Sequence, residues 1–233
     1  RLTLDPVAGE LLDLPWETML DPGSGSLLAR QQQPVWFTRT LSEAAWSVVE
    51  PRPCEKPRAL VVVAAPGGLE KWGRSQALVD QAGEIARARE SLSDYEVTVL
   101  SETAGQVGHG DLAVALRSGY DVLYLVCHAA RSARGEIGLF FERPDGDVSL
   151  VKGDQLAQMI SSMSAGLRPR LAVLIPPLAA GSLDDLPGQS AAALARLAPM
   201  LAQAGVAAIL TLQADLPVSL CAPVLGIFFE RLA

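Results

Sequence analysis

The sequence predicts an α/β fold: a three-layer sandwich in which a mainly parallel sheet carries helices on both faces, with a small hairpin insertion and an N-terminal arm. Three observations predict it. Apolar runs of strand length without alternation, Leu60 to Ala65, Val122 to Val126 and Leu171 to Ile175, have the character of strands covered on both sides. Helix-period segments separate these runs, which makes the strands parallel and their crossovers right-handed. A length of 233 residues with 49% hydrophobic content suits one α/β domain with a sizeable core, plus a small arm.

In chain order, residues 1–57 form the arm and connector, and 58–233 the α/β core. Pro and Gly punctuate short apolar segments in the arm, notably Asp21-Pro22-Gly23-Ser24-Gly25, so a small hairpin is expected there, with Trp16 as its anchor. Pro51-Arg52-Pro53 and Lys56-Pro57 stiffen the entry to the core. The strand from Leu60 ends in Pro66-Gly67-Gly68, and a helix follows with Leu78, Ala82, Ile85 and Leu92 on one face. Val97 to Leu100 is the next strand, and Asp111 to Arg117 a short helix leading into Val122 to Val126.

Beyond it, Ile137 to Glu142 and Val148 to Val151 flank Pro144-Asp145-Gly146, a hairpin with an Asp-Gly turn. Leu156, Met159, Ile160 and Met163 define a core-facing helix stripe before the strand Leu171 to Ile175. Residues 190–204 form a helix that Pro199 kinks or splits, and Gly205 closes it before a last strand, Val206 to Leu212. The final helix faces inward through Leu220, Val224, Ile227 and Phe228, with Pro223 near its first turn.

Charge and composition exclude several functions. A net charge of -7 without a basic cluster, Arg131 with Arg134 being only a pair, argues against nucleic acid and anionic membranes as partners. Cys54, Cys127 and Cys221 are odd in number and far apart, which suggests neither a disulfide framework nor a zinc site and points to a reduced, cytoplasmic protein. No apolar run approaches the roughly 20 residues of a membrane span. Gly67-Gly68 belongs to neither G-x-x-x-x-G-K nor G-x-G-x-x-G, so a plain strand-to-helix turn is expected, with no nucleotide, metal or other cofactor. The start at Arg1 and the stop soon after Phe229 suggest a piece of a longer polypeptide.

Chemistry is expected at the carboxyl end of Val122 to Val126, where Cys127-His128-Ala129-Ala130 follows, because loops diverge at the carboxyl ends of parallel strands and leave a crevice. His109, in Gly108-His109-Gly110-Asp111, precedes a helix and is expected to be a solvated loop residue.

Several separated segments together resemble the CHAT domains, caspase-like modules of peptidase clan CD often found beside tetratricopeptide repeats. They are Leu14-Pro15-Trp16-Glu17, Val61 to Pro66, Asp121 to His128, Gly138 to Glu142 with the Asp-Gly turn, Leu156-Ala157, Ala180-Gly181-Ser182, and Ala204 to Gln213. The resemblance implies a caspase-like sandwich and a Cys-His dyad on the ends of two adjacent parallel strands. His128 matches the family's histidine, followed here by Ala129 where glycine is usual. The family pattern V-L-x-x-C-x-x-A-G, laid on Val173 to Gly181, puts Pro177 at the nucleophile.

Proline has no nucleophilic atom and no N–H to stabilise an oxyanion, so both contributions are lost together. Cys127 adjoins His128, but alternation along a strand sends their side chains to opposite faces. Cys221, Cys54 and Ser182 are weaker candidates for a relocated nucleophile. The implied binding crevice includes Ala129, Asp184, Asp185 and Gln213.

The expected function is therefore that of an inactive pseudoprotease, an interaction or regulatory module in a bacterial signalling or defence protein. Its partner would be a protein, a peptide or another part of the same chain. The alternatives are an active cysteine endopeptidase with a relocated thiol, and a self-assembly domain.

Overall fold

Strands without polar positions need cover on both faces, and a five-stranded parallel sheet meets that need. The structure is a computed structural model that describes residues 2–4, 11, 14, 16–28, 39–41, 55–72, 80–101, 107–177, 189–211 and 218–232. Its contacts divide the chain into two compact units, Arg1–Trp46 and Ser47–Ala233.

In the first unit, β1 (Leu2–Leu4) pairs in parallel with β2 (Arg39–Leu41). Leu20 bridges antiparallel to Leu27 across a turn in which the Asp21 carboxylate accepts hydrogen bonds from Gly23 N–H and Ser24 N–H. The half-exposed Trp16 is tied by its indole N–H, which donates to Leu11 O at 2.8 Å.

The second unit holds the main sheet. Its strands are β3 (Arg58–Val63), β4 (Glu96–Val99), β5 (Val122–Val126), β9 (Leu171–Ile175) and β10 (Ala208–Thr211), in the order β10-β9-β5-β3-β4. The chain between β5 and β9 forms a separate antiparallel sheet, β6 (Ala129–Arg131), β7 (Ile137–Glu142) and β8 (Val148–Lys152). The hairpin β7-β8 has the expected turn, with Gly146 at φ +82°. β6 is an addition to the expectation: three residues, Ala-Ala-Arg, carry no strand signal of their own and are held by pairing with β7.

Helices α1 (Gln81–Ser91) and α5 (Val218–Leu232) cover one face of the main sheet. Helices α2 (His109–Leu116), α3 (Gly153–Ser161) and α4 (Gln189–Gln203), with the small sheet, cover the other. Leu156 and Ile160 of α3 are buried, with Met159 and Met163 partly so, as their spacing requires.

Several sequence expectations are corrected. In α1 the buried row includes Glu84 and Ala88 and runs on to Leu92, while Ala82 is exposed. Ala82 and Glu84 stand about 80° to either side of Leu92, and the helix is seated with the Glu84 side turned inward. Leu78 lies outside the described residues. In α5 the buried pair is Leu225 and Phe229; Phe228 packs against the same core as expected, Val224 and Ile227 are exposed, and the side chain of Leu220 lies outside the described residues. Apolar residues surround this helix, so periodicity does not choose the row; the edge-on contact of Phe229 with Tyr95 does.

Pro223 stands in the second turn of α5, and α4 passes through Pro199 without a break. Buried Leu194, Leu197 and Leu201 bracket Pro199, and packing of that face holds the helix across the missing hydrogen bond. The strand expected at Val206 to Leu212 is shorter, Ala208–Thr211, after Gly205 at φ +101°.

One buried residue aligns the amino ends of three strands. Asp121 exchanges backbone hydrogen bonds into both neighbours: its N–H donates to Arg58 O, and its carbonyl accepts from Arg170 and Leu171 N–H. Its carboxylate also accepts from Arg58 N–H at 3.0 Å. Replacing Asp121 with Ala leaves the Arg58 N–H without that acceptor, and we expect a loss of about 1–3 kcal/mol in urea unfolding. Asp121→Asn, which keeps an acceptor oxygen, is expected to lose less.

Candidate functional site

The carboxyl ends of β5 and β9 set the site. Their register runs from Val122 opposite Leu171 to Val126 opposite Ile175. It continues one hydrogen bond further, Cys127 N–H donating to Ile175 O at 3.3 Å. Carried on, the same register sets His128 level with Pro177.

Alternation decides which side each residue takes. Leu123, Leu125, Cys127 and Ala129 all belong to the core beneath α2, α3 and α4, as do Ala172 and Leu174 of β9. Val122, Tyr124 and Val126 belong to the core beneath α1 and α5, with Leu171, Val173 and Ile175. By this parity His128 and Pro177 fall on the α1/α5 side and Cys127 on the other.

His128 is 8% exposed, with its Nε2 withdrawn from solvent, and its carbonyl accepts from Phe140 N–H at 3.0 Å. Pro177 is half-buried. Ala129 is fully buried, and its N–H donates to the Ser190 hydroxyl at 3.3 Å while that hydroxyl donates to Ala129 O at 3.1 Å. No described residue other than glycine has a positive φ, so alanine stands at 129 without backbone strain.

A family model, the CHAT domain, matches residues 1–233. The chain belongs to the CHAT domain family. A comparison with curated proteins finds no match. CHAT domains are caspase-like and related to peptidases, and the parallel sheet with helices on both faces agrees with that fold.

In this CHAT domain the strand-to-helix turn at Gly67-Gly68 is tied to the hairpin. Gly67 N–H donates to Gly146 O at 2.9 Å, Ala65 N–H donates to Glu142, and Lys71 pairs with Asp147 at 3.0 Å. That contact raises the Lys71 pKa and lowers that of Asp147, in each case chiefly through the hydrogen bond between them. Amides committed in this way do not form a phosphate cradle. His109 is exposed, as expected, but in the first turn of α2 rather than in a loop.

Asp184, Asp185, Gln213, Cys54 and Ser182 lie outside the described residues, and Cys221 is described only as part of the α5 backbone. Among the described residues no group of three His, Cys, Asp or Glu side chains is placed to hold a metal ion, and no helix is long and apolar enough to cross a membrane. Sequence reasoning missed Ser190. It touches Ala129 across 61 positions of chain, a pairing for which local sequence carries no signal.

Cys127 is a thiol next to a histidine in the chain, and its burial shields it from reaction. It is fully buried, and desolvation pushes its pKa up to about 12. The folded state therefore favours the protonated thiol, and the stability this contributes is lost as pH rises through about 12. At about pH 9, where a free thiol is largely ionised, we expect iodoacetamide to modify Cys127 in the native protein at less than roughly a tenth of its rate in urea. Peptide mapping by mass spectrometry reads that residue separately from Cys54 and Cys221.

Proposed function

We propose that this CHAT domain is a pseudoprotease, a peptide- or protein-binding module with regulatory work in a bacterial signalling or defence protein. One observation supports the reading: the register of β5 against β9, carried two residues past Val126 and Ile175, brings Pro177 level with His128 and, by strand parity, to the same side of the sheet. A thiol there would stand beside an imidazole; a pyrrolidine ring gives neither a nucleophile nor an N–H. The loss of one oxyanion donor alone costs about 3 kcal/mol of transition-state stabilisation. The neighbouring N–H, on Ala129, is committed to Ser190. In this reading the carboxyl ends of β5 and β9 hold a segment of a partner or of the same polypeptide, such as tetratricopeptide repeats.

A second reading, a peptidase whose thiol comes from elsewhere, is favoured by the placement of α5. Leu225 and Phe229 put this helix on the sheet face to which His128 is assigned. Phe229 meets Tyr95, which precedes β4, so the end of α5 lies at the amino edge of the sheet and its first turn, with Cys221, toward the carboxyl edge.

Two experiments separate the readings. Incubation with a diverse peptide library and an active-site-directed thiol probe is expected to give neither cleavage nor labelling. Cleavage or labelling that disappears in both His128→Ala and Cys221→Ser would establish the peptidase instead. In the converse experiment, Pro177→Cys is expected to gain a thiol alkylated about tenfold faster than the same thiol in Pro177→Cys/His128→Ala. Equal rates in the two variants would remove the facing arrangement on which the proposal rests.

A further inference from the structure

The turn that carries His128 is clamped from two sides, and the second clamp is a single hydroxyl. β6 pairs with β7, and the His128 carbonyl accepts from Phe140 N–H, so the polar backbone groups of residue 128 point toward β7. Those of Ala129, the next residue along the strand, point the opposite way. Among the described residues no strand pairs with β6 on that side. Ala129 is nonetheless fully buried, so both its N–H and its C=O need a partner inside the protein.

Ser190, in the first turn of α4, supplies both. Its Oγ accepts from Ala129 N–H at 3.3 Å and donates to Ala129 O at 3.1 Å, and Ser190 is itself only 9% exposed. A hydroxyl both donates and accepts within one atom's reach, and so does here what a residue of a paired strand does with its two backbone groups. Alanine at 190 offers neither function, whereas threonine offers both. The helix bearing Ser190 is the one that follows β9 in the chain, so this contact joins the segment beyond Pro177 to the turn beyond β5.

We propose that Ser190 is the positioning residue of the crevice, holding the peptide between His128 and Ala129 in place and through it the direction of the His128 side chain. The inference deepens the reading of this crevice as the functional site. Its test observes the histidine itself and needs no ligand, so failure of the binding reading and failure of this one are told apart.

The experiment uses the full chain and the ring resonances of its two histidines, with the exposed His109 as internal reference. In Ser190→Ala we expect the His128 ring signals to move and broaden while those of His109 stay, and amide exchange at Ala129 to rise about tenfold, the effect of one lost hydrogen bond. Ser190→Thr is expected to restore both. Should Ser190→Ala fail to fold, Ser190→Cys, with a weaker donor of similar size, replaces it and is expected to fall between wild type and full loss. Unchanged His128 signals in a folded Ser190→Ala or Ser190→Cys variant would overturn the proposal, even with faster exchange at Ala129, because the hydroxyl would then be only a structural tie. Failure of threonine to restore the signals would overturn it as well.

Discussion

The pairing register of β5 with β9 is the constraint on which the rest of the site depends. Both strands are buried on both faces at every position. A slip by one residue would exchange their two side-chain sets between cores that differ in shape and lining, so such a register is strongly specified. Asp121 reinforces it at the amino end, where one residue bonds to the first residues of β3 and to those preceding and starting β9. With the amino end held, the carboxyl ends have no freedom in level. Carried two residues past its last pair, that register sets His128 and Pro177 at the same level.

The same packing separates two residues that the chain puts side by side. Cys127 and His128 are adjacent, yet Cys127 lies in the core under α2 to α4 and is held protonated by desolvation. A strand delivers neighbours to opposite layers, and no short-range chemistry overcomes that geometry. Proximity in sequence counts against a dyad here, and the parity of β9 against β5 decides which residue faces the histidine.

Much of this was legible beforehand because it rests on patterns local to the chain. The apolar runs of β3, β5 and β9, the Asp-Gly hairpin and the α3 stripe each carry their own signal, and alternation alone assigns Cys127 and His128 to different faces. Pro177 was reached by the order of segments along the chain, a resemblance and not a derivation. The features missed are those whose cause lies far away in sequence. β6 exists because β7 pairs with it, the row of α5 is selected by Tyr95, and Ser190 meets Ala129 through the packing of α4. In α5 the abundance of apolar residues was itself the obstacle, since a helix apolar on many sides has no preferred face until neighbours are present.

Ala129 joins the turn beyond β5 to α4 through Ser190. Glycine, usual after the family's histidine, leaves the backbone free in conformation and open in space. Alanine here needs no special φ, puts its methyl into the core with Leu139 and Leu125, and has both polar backbone groups bound by Ser190. A peptide unit so fully engaged has no N–H left to give to a substrate oxygen. On the proposed reading the residues at 129 and 177 act in the same direction: Ala129 has its N–H committed to Ser190, and Pro177 has no N–H to offer. A site altered in this way keeps its shape, because the shape follows from strand register. In the pseudoprotease proposal it gives up reactivity, because reactivity requires a thiol and N–H groups that the folded chain leaves unused.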